Sequence, residues 1–318
     1  MSGRAALVVT LACAAFAPDR GWVGPVAPSA FAQNAVSSGA RAAAPGSLQQ
    51  ILPGHFVYTR GDDAPGVSAT FNSGVIVTGE GVVVIDALGS EAIAARVREA
   101  IGRVTSQPVR FLISSTFHDR FTGGNAVYRD AFRIGHENYR TDLLRLLEKE
   151  TPDEQRAKLP QQTYRDRLTL YLGGKEIQVL YLGRAHTRGD SIVFVPADRI
   201  VYLSEVFNFQ EFPYTADAYP SDWIRTLQAA EALDADIFVP GHGFMPENPR
   251  DTRAELGRHR QLFAEVRGAV EKEIARGATE AQAVAAIDLP QYRRFKGYSQ
   301  AMPMAVRRTY QELTGVLR

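Results

Sequence analysis

The fold of this chain is decided by the stretch Ser114-Ser115-Thr116-Phe117-His118-Asp119-Arg120-Phe121-Thr122-Gly123-Gly124-Asn125. It directly follows Val109–Ile113, which is apolar except for Arg110 and is a short run typical of a buried strand. Loops at the carboxyl ends of strands are where α/β folds build functional sites, because the strands hold the loop bases rigid. His118 is therefore the first candidate functional residue.

Two further histidines lie in loops of the same kind. His186 lies in Gly183-Arg184-Ala185-His186-Thr187-Arg188-Gly189-Asp190, and His242 lies in Val239-Pro240-Gly241-His242-Gly243. Glycines beside a histidine let the backbone turn tightly and bring the imidazole toward a shared centre. Three neutral imidazoles from separate loops suit zinc. Single histidines are more often structural residues, so the spacing alone leaves both interpretations open.

The rest of the pattern predicts two halves, each with strands followed by a helix. Residues 151–162 are polar, have two prolines and are predicted as a surface loop. Such halves indicate two sheets packed face to face with helices outside. The predicted strands are Phe56–Thr59, Val67–Asn72, Val75–Thr78, Val82–Asp86, Val109–Ser114, Leu168–Leu172, Glu176–Leu182, Ser191–Val195, Ile200–Ser204 and Ile237–Val239, and the main helices are Glu91–Ile101, Trp223–Leu233 and a long one from Arg253 to Gly277.

The first 32 residues have the order of a secretory signal. Arg4 supplies a positive charge, Ala5–Ala17 is almost wholly apolar, and Ala30-Phe31-Ala32 is a small-residue cleavage site. Roughly 13 apolar residues are too few to span a bilayer, which needs about 20. We therefore expect an exported, periplasmic protein, with a signal peptide over residues 1–32, a linker over residues 33–50 and one domain over residues 51–318.

The composition is that of an ordinary globular protein, with 45% hydrophobic residues and a formal net charge of +1. The chain has no run of Lys or Arg that would indicate a nucleic-acid partner. After the signal it has no segment apolar enough to span a membrane. We expect its partner to be a small-molecule substrate. The only cysteine, Cys13, lies inside the signal in a context that weakly resembles a lipoprotein signal. A chain cleaved after Ala32 would have no disulfide and no thiolate ligand.

Five segments, in this order, resemble the metallo-β-lactamase superfamily, which includes glyoxalase II-like hydrolases and lactonases. They are Val82-Val83-Val84-Ile85-Asp86, Gly123-Gly124-Asn125, His136-Glu137-Asn138, His186-Thr187-x-Gly189-Asp190 and Pro240-Gly241-His242-Gly243. The resemblance runs from about Ile51 to about Leu313. It implies an α/β fold, a four-layer αββα sandwich of the metallo-β-lactamase type, and a zinc-dependent hydrolase.

The metal motif of that family, His-x-His-x-Asp-His followed by x-Gly-Gly, is only partly kept. Anchoring on Gly123-Gly124 places its four ligand positions at Thr116, His118, Arg120 and Phe121, and the carboxylate that usually bridges two metals falls at Glu205. The resemblance thus implies His118, His186, His242 and Glu205 as metal ligands. A guanidinium about 4 Å from a dication repels it by roughly 8 kcal/mol at an effective dielectric near 20. We therefore expect at most one zinc ion.

Two functions fit this altered motif. In the first, one zinc activates water for hydrolysis of an ester, thioester, lactone or lactam, with Arg120 and Glu205 as catalytic residues. In the second, no metal binds, Arg120 pairs with Glu205, and the chain is a pseudoenzyme or a small-molecule binding protein. We expect Arg120 to contact Glu205, since a buried guanidinium needs an acceptor. The aromatic residues after Glu205, from Phe207 to Tyr219, are either a wall of the cleft or ordinary core.

Overall fold

Seven strands form the first sheet of the computed structural model, which describes residues 46–61 and 70–317. The predicted signal, residues 1–32, lies outside the described residues. The first four strands pair antiparallel and the last three pair parallel. In sheet order they are β1 (Leu48–Leu52), β2 (His55–Gly61), β3 (Thr70–Val77), β4 (Val82–Ile85), β5 (Val109–Ser114), β6 (Phe132–His136) and β7 (Gln162–Tyr164).

The second sheet has five strands in the order β12-β11-β10-β9-β8. Its neighbours pair antiparallel, except that β11 and β12 run parallel. The strands are β8 (Arg167–Leu172), β9 (Lys175–Leu180), β10 (Ile192–Val195), β11 (Ile200–Asn208) and β12 (Ile237–His242).

Eight α-helices complete the described part of the chain, and none of these combines the length and apolar character that a membrane span requires. They are α1 (Glu91–Val104), α2 (Asp119–Thr122), α3 (Glu137–Leu146), α4 (Pro152–Lys158), α5 (Pro220–Glu231), α6 (Thr252–Ala275), α7 (Glu280–Ala286) and α8 (Tyr298–Leu313).

Side-chain alternation along the strands builds the layers. In β4, Val83 and Ile85 belong to the core between the sheets, whereas Val82 and Val84 pack with residues of α1 on the outer face. In β11, Tyr202 likewise faces the other sheet, and its neighbours Val201 and Leu203 pack in the core that includes α5, α6 and α8. The two sheets therefore lie face to face with helices outside, which confirms the predicted αββα sandwich.

Several elements differ from the sequence prediction, which has no strand at β1, β6 or β7 and assigns residues 48–50 of β1 to the linker. The strand predicted to break after Asn72 is one continuous strand, β3, because Gly74 does not form a turn. A Cβ at Gly74 would lie 2.5 Å from the ring of Tyr202, so glycine is required there by close packing. Residues 151–162 are not simply a loop, since α4 begins after a capping box formed by Thr151 and Glu154.

His55 links the two sheets. It lies on β2 and is fully buried, with Nδ1 3.1 Å from the hydroxyl of Tyr202 and Nε2 2.8 Å from Oδ2 of Asp198. Lys175 also forms an ion pair with Asp198. Burial lowers the pKa of His55 below its ordinary value of 6.5, although the hydrogen bond to Asp198 opposes this shift. The ring is therefore neutral at neutral pH.

We expect His55→Gln to flatten part of the pH dependence of the free energy of unfolding below pH 6.5. As the pH falls below this value, the unfolded chain takes up a proton that the folded chain resists, so the stability contribution is full above pH 6.5 and is lost at lower pH. Chemical denaturation between about pH 5 and pH 8 measures the slope. Tyr202→Phe, which keeps the titrating ring, is the control, and parallel curves for wild type and His55→Gln would contradict the assignment.

Candidate metal centre

His118 stands at the junction between β5 and α2. Its backbone is the N-cap of α2, where its carbonyl accepts from the N–H of Phe121 at 2.9 Å and from the hydroxyl of Thr122 at 3.1 Å. This short turn of helix fixes the backbone of the loop directly after the parallel strand. The imidazole is thereby held at the edge where the carboxyl ends of β4 and β5 meet.

Asp86, which lies directly after β4, orders that loop. Its carboxylate accepts from the N–H and the hydroxyl of Ser115, both at 2.8 Å, and from the hydroxyl of Ser204 at 2.7 Å. Burial raises the pKa of Asp86 to about 7, against the effect of these hydrogen bonds. One side chain therefore joins the loop of His118, on the first sheet, to Ser204, the residue before Glu205 in β11 of the second sheet.

Glu205 is directed into the centre by an irregularity in β11. The pairing of β11 with β12 shifts register around Ser204, whose φ of +47° is left-handed. A Cβ at Gly241 would lie 2.3 Å from the backbone of Ser204, so only glycine fits opposite this bend. Bulges next to sites re-aim side chains, and here the bend turns the carboxylate of Glu205 toward the histidines.

His186 lies in a loop that is held in place by hydrogen bonds to Asp190, an acidic residue of the same loop. Asp190 accepts from the N–H of Thr187 at 2.7 Å and from its hydroxyl at 2.5 Å. Ser191 donates its N–H to the carbonyl of Ser115, which connects this loop to that of His118. Asp190 therefore orders the loop that carries His186.

His242 is oriented by a buried network that sequence analysis missed. Its Nδ1 donates to the carbonyl of Thr70 at 2.9 Å, while the N–H and hydroxyl of Thr70 both donate to the buried carboxylate of Glu211. Nζ of Lys296 lies 3.8 Å from Glu211. With Nδ1 engaged, Nε2 faces Oε1 of Glu205 at 3.6 Å.

Two histidines and one carboxylate form the core of the centre. Oε2 of Glu205 lies 2.7 Å from Nδ1 of His118 and 3.0 Å from Nδ1 of His186. The potential ligand atoms of these residues all lie within 4.8 Å of one another, which confirms the predicted approach of His118 and His186. His242 approaches the other oxygen of Glu205 from the opposite side of the carboxylate.

The centre is balanced in charge without a metal. Burial lowers the pKa of His118, but the carboxylates of Glu205 and Asp217 outweigh it and raise the pKa to about 11. Burial raises the pKa of Glu205, yet His118 and His186 hold it well below its usual range. A protonated imidazole thus neutralises an ionised carboxylate, and a metal ion must displace the proton from Nδ1 of His118.

The donor set fits one divalent metal ion. Zinc accepts imidazole and carboxylate ligands, and two donors on one zinc lie up to about 4.2 Å apart because each bond is about 2.1 Å long. The donors here lie within 4.8 Å of one another, so side-chain shifts of about half an ångström would bring them to one ion. Nδ1 of His186 is buried, and within the described part of the chain its 3.0 Å approach to Oε2 of Glu205 is an ion-pair contact without hydrogen-bond geometry. Three protein ligands are the number typical of catalytic zinc sites, which keep a position for water or substrate.

The predicted pair of Arg120 and Glu205 is wrong. Arg120 is exposed, and its guanidinium carbon lies 5.2 Å from the centre of the Phe71 ring. Among residues 46–61 and 70–317, the ion-pair partners of Glu205 are His118, His186 and His242. The bend at Ser204 is the physical reason, since it directs the carboxylate to the histidines and leaves Arg120 at the surface. The fourth ligand position of the motif, a histidine in the family, is held by Phe121, whose buried ring packs edge-on against His242 at 5.4 Å.

A cavity of about 440 Å³ opens onto these groups. His118, His186, Glu205 and His242 line one side, and Arg120 and Asp119 lie at the same opening. Phe212 and Tyr214 form part of the wall, whereas Phe207 belongs to the core, so the predicted aromatic run divides between both functions. A further part of the wall comes from the segment before α8, with Lys296 and Gly297, and from the first turn of α8, with Gln300 and Ala301.

Asp217 is the second residue that sequence analysis missed. Its Oδ2 lies 3.1 Å from Nε2 of His118. It stands in a loop with no motif around it, so no local signal identifies it, and only the folded chain brings it to the histidine.

Comparisons of this chain with a family model and with known proteins indicate the same family. A model of the metallo-β-lactamase superfamily matches residues 72–242. The metallo-β-lactamase type 2 of Elizabethkingia meningoseptica is 24% identical over 201 residues, which are 61% of this chain and 78% of that protein.

Solved structures agree on the fold. The sec-alkylsulfatase Pisa1 from Pseudomonas sp. has a TM-score of 0.67 at 14% identity, over 85% of this chain and 50% of that one. The mono-zinc form of the metallo-β-lactamase FIM-1 from Pseudomonas aeruginosa has a TM-score of 0.57 at 16% identity, over 69% of this chain and 96% of that one. Because the matched residues 72–242 are more than half of the sequence and carry all four candidate ligands, the chain belongs to the metallo-β-lactamase superfamily.

Proposed function

We propose that this protein is a hydrolase that uses at most one zinc ion to cleave an ester, thioester, lactone or lactam. The observation that carries the proposal is the convergence of His118 and His186 on the buried carboxylate of Glu205. The superfamily of hydrolase-like proteins to which the chain belongs supports it.

The residues of the cavity have separate tasks in this proposal. His118, His186 and Glu205 would hold the ion, with His242 beside them. Zinc bound there would supply a Lewis acid and a water of lowered pKa. Arg120 at the opening presents a permanent positive charge to an anionic group of the substrate or product. Phe71, Phe212 and Tyr214 provide apolar surface for the rest of the molecule.

Metal content of the purified full-length protein tests the proposal. After zinc loading and dialysis, we expect elemental analysis to find close to one zinc per chain in the wild type and in His136→Gln, which alters a histidine that caps α3. We expect His186→Ala to retain almost none. Hydrolysis of a panel of chromogenic esters, thioesters, lactones and lactams should disappear with a chelator and return with zinc.

Two results would overturn the proposal. Absence of zinc from the wild type would favour a metal-free binding protein. The site of that protein would not contain the ion pair of Arg120 and Glu205, since Glu205 pairs with histidines in the described part of the chain. Equal zinc in His186→Ala and wild type would place the ion elsewhere.

We also propose that the protein acts in the periplasm, because residues 1–32 have the order of a secretory signal. N-terminal sequencing of protein from the periplasmic fraction is expected to begin at Gln33. A mature chain that retains Met1–Ala32 would contradict export with cleavage.

A further inference from the structure

Asp217 contacts the centre from the surface loop between β11 and α5. Its side chain is about half exposed, at 55%, and Oδ2 lies 3.1 Å from Nε2 of His118. The other ring nitrogen of His118 faces Glu205 inside the centre. His118 therefore lies between a buried carboxylate and an exposed one.

The loop that carries Asp217 is anchored on both sides. Ala218 donates its N–H to the carbonyl of Thr215, and its own carbonyl accepts from Nε of Arg308 on α8 at 2.7 Å. Tyr219 donates its N–H to the carbonyl of Ala185, the residue before His186. The backbone of Asp217 is thus fixed relative to the loop of the second histidine, and the carboxylate is held in place before any ligand arrives.

We propose that Asp217 is a positioning residue for the metal centre, which it serves by accepting the Nε2–H of His118 and holding Nδ1 toward the ion. The inference rests on the proposed function, in which His118 is a ligand. A ligating imidazole needs a partner for its other N–H, and a carboxylate there fixes the tautomer and ring orientation and raises ligand basicity. Within the described residues, Asp217 provides the hydrogen-bond contact recorded at that nitrogen.

Substitutions separate the hydrogen bond from the charge. Asp217→Ala removes both, and we expect it to weaken zinc binding by about 10- to 100-fold. Asp217→Asn keeps an oxygen acceptor and loses the charge, so it should recover part of the affinity. Asp119→Ala is the matched control, because Asp119 is an exposed acidic residue beside His118 that lines the same cavity. Loss of this exposed charge should change zinc affinity by no more than about fivefold.

The experiment measures zinc affinity of the full-length protein by competition with a chromogenic chelator, and the visible spectrum of the cobalt-loaded protein. We expect the cobalt spectrum to change in Asp217→Ala and to remain as in wild type in Asp119→Ala. If both alanine variants bind zinc equally well and share one cobalt spectrum, the positioning role is refuted while the zinc site stands.

A metal-free measurement keeps the two hypotheses distinguishable. Nitrogen NMR of the histidine rings reports the environment of Nε2 of His118 without any ion. We expect that resonance to move in Asp217→Ala and not in Asp119→Ala. A wild type that binds no zinc would remove the proposed function, and an unmoved resonance would refute the contact itself.

Discussion

Replacing Glu205 with glutamine is expected to lower zinc affinity by about a thousandfold and to abolish metal-dependent hydrolysis. Binding of a structural zinc contributes about 10–16 kcal/mol in total, so loss of one of three protein ligands removes about 4 kcal/mol, which is about a thousandfold. Glutamine nearly preserves the shape of the side chain, so the change reports the lost anionic ligand rather than a cavity. Competition titration and elemental analysis measure it.

Glu211→Gln is the control for Glu205→Gln. Glu211 is also a buried carboxylate of the cavity, but its oxygens accept from Thr70 rather than facing both histidines. Glutamine there keeps an acceptor for Thr70, so zinc affinity should fall by no more than about tenfold, and by less than in Glu205→Gln. Unchanged zinc affinity in Glu205→Gln would remove this residue from the ligand set.

The double variant Arg120→Asp with Phe121→His is expected to raise the zinc content from one to about two per chain. It restores the two ligand types that the family motif has at these positions and removes a permanent positive charge from the cavity opening. The ring of Phe121 lies 5.4 Å from that of His242, so a histidine there would stand beside an existing imidazole. Elemental analysis after loading measures the gain.

The single variants are the controls for this gain. Arg120→Asp alone and Phe121→His alone each lack one restored ligand, and both should remain near one zinc. Phe121 is fully buried against Phe71, so its replacement should destabilise the metal-free protein by about 1 to 3 kcal/mol. A folded double variant that still holds one zinc would show that the rings around His242 leave no room for a second ion.

Sequence patterns predicted the strands and helices in which buried residues recur at regular positions. The strand at Val109–Ser114 was predicted with its observed bounds, because an apolar run between a proline and polar residues is enough to define it. Helix α4 was not predicted, since none of its residues is buried and a helix without a buried face has no periodic pattern of hydrophobic residues. Its capping box at Thr151 and Glu154 was the available signal.

The candidate site was predictable as a set of residues and not as a set of contacts. His118, His186 and Glu205 followed from family positions and do meet in the folded chain. The predicted partner of Glu205 was wrong because the left-handed backbone of Ser204 determines where the side chain of Glu205 points. No local sequence pattern indicates this backbone conformation. Asp217 and Glu211 reach the centre only through tertiary contacts, which a single sequence does not encode in any spacing.

The position of the cavity wall has a consequence for how such a protein can change. The donors lie between residues 118 and 242, whereas Lys296 lies just before α8 and Gln300 and Ala301 lie in the first turn of that helix. Mutations can therefore change two separate parts of the gene, one that encodes the candidate metal ligands and one that encodes the cavity wall beside them. A library restricted to codons 296–301 would vary this part of the cavity wall while each member keeps the same four candidate ligands.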